Sequence, residues 1–178
     1  CQARHGNPAD PFAKLKVIFS ADTAQKINDT EVPQRDVAFL KIFDATGDFS
    51  VAEVILAEAP NGEDLLTLGY PSEFLASINT DINSNLVFSI LRVGGFTDLD
   101  SDNTTAEGYV FSGGLALQQG SSGTALFNRQ GKVVGLIFAT TKASATADRQ
   151  GVGLTINYID RIMRLETGQG LEKFIAAN

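Results

Sequence analysis

Apolar residues fall in short runs along this chain, mostly Val, Ile, Leu and Phe, and each run is bounded by Gly, Asn, Asp or Pro. LKVIFS (15–20), DVAFLKIF (36–43), VAEVILAE (51–58) and DLLTLGY (64–70) have the length and the β-branched or aromatic content of strands. NLVFSILRV (85–93), EGYVFSG (107–113), TALFN (124–128), KVVGLIFAT (132–140) and GVGLTI (151–156) read the same way. DATGD (44–48), APNGED (59–64) and NRQG (128–131) supply turn chemistry between them. Many short strands with few helical patterns between them predict an all-β barrel or sandwich.

The period changes near the end. From Asn157, NYIDRIMRLE sets Ile159, Ile162, Met163 and Leu165 near one helical face, with Asn157 as N-cap and Gly168 and Gly170 as the stop. LEKFIAAN (171–178) continues it as a second helical turn or a tail. FTDLDSDNTTAEG (96–108) carries four carboxylates, but its glycine and closing glutamate lack the spacing of an EF-hand. A solvated loop is the expectation there.

Composition narrows the class. At 178 residues, 43% hydrophobic and 20% charged, the chain is a folded one with room for one medium domain or two small packed ones. A formal net charge of −7 argues against nucleic acid or an anionic membrane surface as the main partner. No apolar stretch reaches the length of a membrane span. Cys1 is the single cysteine, which rules out an internal disulfide and a cysteine-based zinc cluster. It is compatible with the cytoplasm, the periplasm or secretion. With one histidine and one cysteine, only an all-carboxylate site for a hard cation remains, so no metal and no other cofactor is expected. GGFTDLD (94–100) lacks the glycine spacing and the lysine of a phosphate-binding loop.

The chemistry-bearing residues are few. His5 is the one imidazole, Asp36 opens the strand DVAFLK, and Ser121 and Ser122 stand between glycines in QQGSSGTALF (118–127). Taken singly, a histidine near a terminus is most often a surface residue, and an aspartate at a strand mouth or a serine between glycines is most often part of a turn. Together they supply the three groups of a Ser-His-Asp site, with no second histidine to compete. Sequence chemistry alone leaves Ser121 and Ser122 equivalent.

The ordered set resembles the trypsin-like (chymotrypsin-fold) serine peptidases, closest in pattern to the disulfide-free bacterial HtrA/Deg-type branch. Gln2-Ala3-Arg4-His5 is similar to the family's histidine motif, Asp36-Val37-Ala38-Phe39-Leu40 to its aspartate strand, and Gly120-Ser121-Ser122-Gly123-Thr124-Ala125-Leu126 to its G-x-S-G-G-P-L nucleophile loop. LLTLGYPSE resembles the opening of the second barrel, and GKVVGLIF and GVGLTINYIDRIM resemble the closing strands and C-terminal helix. The resemblance implies two packed antiparallel β-barrels with a C-terminal helix. Residues 1–60 would be the remainder of an N-terminal barrel, 61–156 a C-terminal barrel, and 157–178 a helix and tail. It also selects Ser122 as nucleophile, with His5 as general base and acid and Asp36 orienting the histidine. The N–H groups of Gly120 and Ser122 would form the oxyanion hole, and a polypeptide would be the substrate. Ala116, six residues before the nucleophile, would be the base of the specificity pocket, with Phe138, Ala139 and Thr140 as its wall. None of these is acidic, which disfavours Arg or Lys and points to a small or medium apolar side chain.

The chain departs from the pattern at three places. Thr124 and Ala125 replace Gly-Pro after the nucleophile, and Ser121 stands where the digestive enzymes carry the aspartate that pairs with a new N-terminal amine. Four residues precede His5 where the family places a hairpin. The first barrel is therefore expected to be incomplete at its N-terminus, as a fragment or as a degenerate module. Beside the peptidase stand two alternatives, a catalytically silent homologue that binds peptides or assembles with a partner, and a protease that cuts its own precursor once. Oligomeric state has no signature in the chain.

Overall fold

The structure, a computed structural model, describes residues 2–4, 11–27, 30–45, 49–71, 86–99, 105–141 and 145–178. It is mostly β, with two short helices at the C-terminal end, and has the chymotrypsin-like architecture. The described chain divides into two compact units: Cys1–Phe49 with Ile159–Asn178, and Ser50–Tyr158.

The first unit holds an antiparallel sheet of β1 (Gln2–Arg4), β2 (Pro11–Ile27) and β3 (Thr30–Phe43), in that order. β2 and β3 form a long hairpin. Register shifts between Val17 and Phe19 and between Thr23 and Ala24 bend it, as bulges do. The strand pattern seen in LKVIFS extends well beyond its apolar run, because ladder hydrogen bonds continue through polar residues once pairing has begun. Phe19, Phe39 and Phe174 form a cluster with ring centroids 5.8–6.1 Å apart. Phe174 belongs to α2 (Leu171–Ala177), so the tail is a helix docked on the hairpin.

The second unit is a seven-stranded antiparallel sheet. Its members are β4 (Asp64–Gly69), β5 (Val87–Arg92), β6 (Gly95–Thr97), β7 (Gly108–Ser112), β8 (Ala125–Phe127), β9 (Val133–Thr140) and β10 (Gln150–Thr155). The spatial order is β5-β4-β8-β9-β10-β7-β6. β5 and β6 are successive halves of one kinked stretch. At the kink the Val93 N–H donates to Glu63 O (2.9 Å) and the Gly94 N–H to Val110 O (2.8 Å). Both edges of the sheet thus lie on the same piece of chain, and the sheet curls round on itself as a barrel. Inside it Leu65, Leu91, Val93, Tyr109, Phe111, Leu117, Leu126, Val134 and Ile137 are all buried. The Tyr109 hydroxyl accepts from the Ala59 N–H (3.0 Å) and donates to Val134 O (3.2 Å), and burial pushes its pKa up to about 12.

Several expectations change. VAEVILAE is not a strand: Val54 makes one isolated parallel bridge with Val133, and Val51 is 93% exposed. Val133 lies beyond the last β10 partner of β9, Gly135, and the edge there bonds Glu53 O and the Ile55 N–H. The loop 96–108 begins as β6, and Glu107 is fully buried, accepting from the Leu99 N–H and the Thr105 hydroxyl. The strand expected over GVGLTI (151–156) ends one residue earlier, at the start of α1 (Ile156–Thr167). Its N-cap is Thr155, whose hydroxyl accepts from the Tyr158 N–H (3.1 Å), while Asn157 donates to Glu58. Ile159, Ile162 and Met163 are buried as the period predicts, but Leu165 is exposed. Six residues from Ile159, Leu165 is turned about 120° away around the helix. Gly168, at φ 72°, ends α1, with its N–H bonded to Arg164 O.

Candidate functional site

The segment between β7 and β8 is built from turns. Leu117 N–H donates to Gly114 O, Ser121 N–H to Gln118 O (3.2 Å) and Thr124 N–H to Ser121 O (3.1 Å). The last two bonds close consecutive β-turns, Gln118–Ser121 and Ser121–Thr124. Each has a glycine with positive φ at its third position, Gly120 at 90° and Gly123 at 85°. That is the type II pattern, which a side chain at the third position opposes. Two glycines three residues apart therefore let the chain reverse twice and expose Ser122 at the crest.

The loop is docked on β9. Gly123 N–H donates to Ile137 O (2.7 Å), and Ile137 N–H donates back to Thr124 O (2.8 Å). Ser122 is exposed, and its hydroxyl donates to Phe138 O at 3.1 Å. Among the described residues the N–H groups of Gly120 and Ser122 have no backbone acceptor. Ser121 is the opposite case: it is 2% exposed, and among the described residues its hydroxyl has no hydrogen-bond partner. The two serines that the sequence left equivalent are thus separated by burial. Thr124, the departure from the family pattern, points its hydroxyl at Gly69, where a Cβ would lie 2.7 Å away. The β-branched side chain fits because β4 carries no side chain there.

The other expected residues fall as follows. Ala116 is buried in the core cluster of the second unit, and Phe138, Ala139 and Thr140 run half-buried along β9. Ser122 and Phe138 are thereby brought together. Asp36 stands exposed on β3 of the first unit, opposite Asp22. Its neighbour Arg35 pairs with Glu166 at 2.8 Å. His5 lies outside the described residues. Among the described residues no cluster of three or more His, Cys, Asp or Glu has a metal-holding arrangement, and no helix is long and apolar enough to cross a membrane.

Sequence reasoning passed over Arg149 and Gln118. Arg149 Nη1 donates to Gln118 Oε1 and to Leu117 O (3.3 Å) immediately before the first turn. An arginine beside a polar surface turn carries no periodic signal, and the pair is 31 residues apart.

The fold and the loop define a trypsin-like peptidase domain. Residues 4–136 match the family model for that domain, so the chain belongs to the trypsin-like peptidase family. Among the solved structures that share the fold are two of the protease Rv3671c. A serine-to-alanine mutant of Rv3671c from M. tuberculosis H37Rv, in its inactive form, is 23% identical with a TM-score of 0.54, over 95% of this chain and 68% of that one. The inactive form of the Rv3671c protease is 22% identical with a TM-score of 0.57, over 90% of this chain and 69% of that one. A comparison with curated proteins finds no match.

Proposed function

We propose that this trypsin-like peptidase domain is a serine endopeptidase working through an acyl-enzyme. Ser122 attacks the scissile carbonyl, His5 takes its proton and later returns it to the leaving amine, and Asp36 orients and stabilises the imidazolium. The N–H groups of Gly120 and Ser122 receive the oxyanion. The observation that carries this reading is the double turn at Gln118–Thr124, which exposes one hydroxyl and leaves those two N–H groups without backbone acceptors among the described residues. The family match supports it, because its span includes His5, Asp36 and Ser122, in the His-Asp-Ser order of the resembled family.

A hydroxyl that donates to Phe138 O is not yet delivering its proton to a base. Catalysis therefore requires Ser122 to leave that acceptor by rotating about χ1, one step among staggered wells. Ala116, Phe138, Ala139 and Thr140 supply no carboxylate, so a small or medium apolar residue is the preferred side chain before the cleaved bond. The substrate is a polypeptide.

Intact-mass spectrometry before and after treatment with a fluorophosphonate probe tests this. The expected result is one added probe, absent in Ser122→Ala and strongly slowed in Asp36→Asn. The same aspartate-to-asparagine change costs on the order of 10⁴ in kcat in a digestive serine protease. No labelling of the native chain rejects serine catalysis and leaves a silent peptide-binding homologue.

A further inference from the structure

Arg149 precedes β10 and is tied to both ends of the segment leading into the nucleophile loop. Its carbonyl accepts from the Gly113 N–H at 2.8 Å, at the end of β7. Its guanidinium donates to Leu117 O and to the side-chain oxygen of Gln118, the residue that opens the first of the two turns. Gln118 is buried, and Arg149 is half-buried. Next to this pair Leu117 is fully buried against Gly151, where a Cβ would overlap Leu117 Cδ2. Residues 117 and 118 are thus seated on the start of β10 by a side chain packed against a bare backbone and by a charged donor.

The consequence lies two residues on. The Gln118–Ser121 turn has Gln118 O as its acceptor, and the Gly120 N–H is oriented by the peptide planes of that turn. A turn whose first residue is free to rotate can flip the peptide between Gln119 and Gly120, which points that N–H the other way. Both bonds come from Nη1, whose two N–H directions are held in the plane of the guanidinium fork, so one rigid nitrogen fixes the carboxamide of Gln118 and the carbonyl of Leu117 together. Resting on the serine-peptidase reading, we propose that Arg149 is a positioning residue for the oxyanion loop. Acting through Gln118, it holds the Gly120 N–H in the orientation that receives the developing charge.

The test compares the native chain with Arg149→Ala, Arg149→Lys, Gln118→Ala and the Arg149→Ala/Gln118→Ala double variant. Readouts are the rate of fluorophosphonate labelling, kcat and KM on a peptide substrate, and the melting temperature. Removing an oxyanion donor outright costs about 10²–10³ in kcat, so disordering one is expected to cost roughly 10–100-fold with KM little changed. The double variant should be no slower than the worse single one, because Gln118 and Arg149 share the contact through which the effect reaches the turn. Methylguanidinium added to Arg149→Ala should restore rate saturably, which a purely structural role does not predict. Arg149→Lys, which keeps the charge without the fork, should lie between native and Arg149→Ala, and it carries the comparison if the alanine variant does not fold. Native rates in Arg149→Ala or Arg149→Lys overturn the proposal, as does a loss that follows the melting temperature and is not rescued. A native chain that neither labels nor cleaves overturns the peptidase reading itself, and the positioning role with it.

Discussion

Replacing Tyr109 with phenylalanine removes one oxygen from the centre of the second unit and leaves two backbone groups without their partner. The Ala59 N–H and Val134 O both bond that hydroxyl, and Tyr109, Ala59 and Val134 are all buried. The ring contacts with Phe96 and Phe111, at 5.7 and 6.1 Å between centroids, survive the change, so the packing contribution is nearly constant. An orphaned buried donor or acceptor costs about 1–3 kcal/mol, so two of them put Tyr109→Phe at about 2–6 kcal/mol at pH 8. The pH dependence adds a second, independent check. The folded pKa is about 12, raised by burial. Between roughly pH 10, the ordinary tyrosine value, and pH 12 the folded chain keeps a proton that the unfolded chain has lost. The neutral hydroxyl's contribution is therefore complete below pH 10 and is lost as pH rises through 12. A two-unit shift corresponds to about 2.7 kcal/mol, of which about 1.4 is already gone at pH 11. Phenylalanine has no such loss, and Tyr70 and Tyr158 are common to both proteins and cancel. The chain has no tryptophan, so urea unfolding followed by far-ultraviolet circular dichroism is the assay. The stability gap between native and variant should narrow by about 1.4 kcal/mol from pH 8 to pH 11. A gap below about 1 kcal/mol at pH 8, or one that does not narrow, refutes the account.

Two further substitutions probe the same barrel. Thr67 faces the interior of β4 with its hydroxyl buried and, among the described residues, without a hydrogen-bond partner, so Thr67→Val should raise stability by about 1 kcal/mol in urea unfolding; a destabilised variant would show that the hydroxyl is satisfied in solution. Gly135 lies where a Cβ would sit 2.5 Å from Leu154 O, backbone that cannot swing aside, so Gly135→Ala should cost about 3 kcal/mol and lower the melting temperature by roughly 6–12 °C. A shift under about 2 °C would mean that β9 and β10 can separate at this point.

The strands in DLLTLGY, NLVFSILRV, EGYVFSG and KVVGLIFAT were legible as short β-branched and aromatic runs bounded by turn residues, but the runs did not say which face is inside: Thr67 and Ser89 are buried while Leu68, Phe88 and Ile90 are exposed. VAEVILAE has the same composition yet makes one bridge, since composition reports what a strand tolerates and not whether an edge is open to receive it. The cap of α1 was misplaced by two residues for a similar reason. Thr155 and Asn157 are both capping residues by chemistry, and the end of the β10 ladder decides which comes first. The double turn at Gln118–Thr124 was readable because two glycines bracketing two serines serve a backbone need, positive φ, which few other residues meet.

The chain by itself therefore determined the strand-rich class, the terminal helix and the turn-forming glycines, all of which are local properties of side chain and backbone. Tertiary structure alone decided that Ser121 is buried while Ser122 is exposed, that Tyr109 bonds Ala59 and Val134, and that Arg149 clamps Gln118. Those facts depend on which strands become neighbours when the sheet curls round. Neighbourhood across 25 to 50 residues is set by the summed packing of the whole barrel, which no short window of sequence contains.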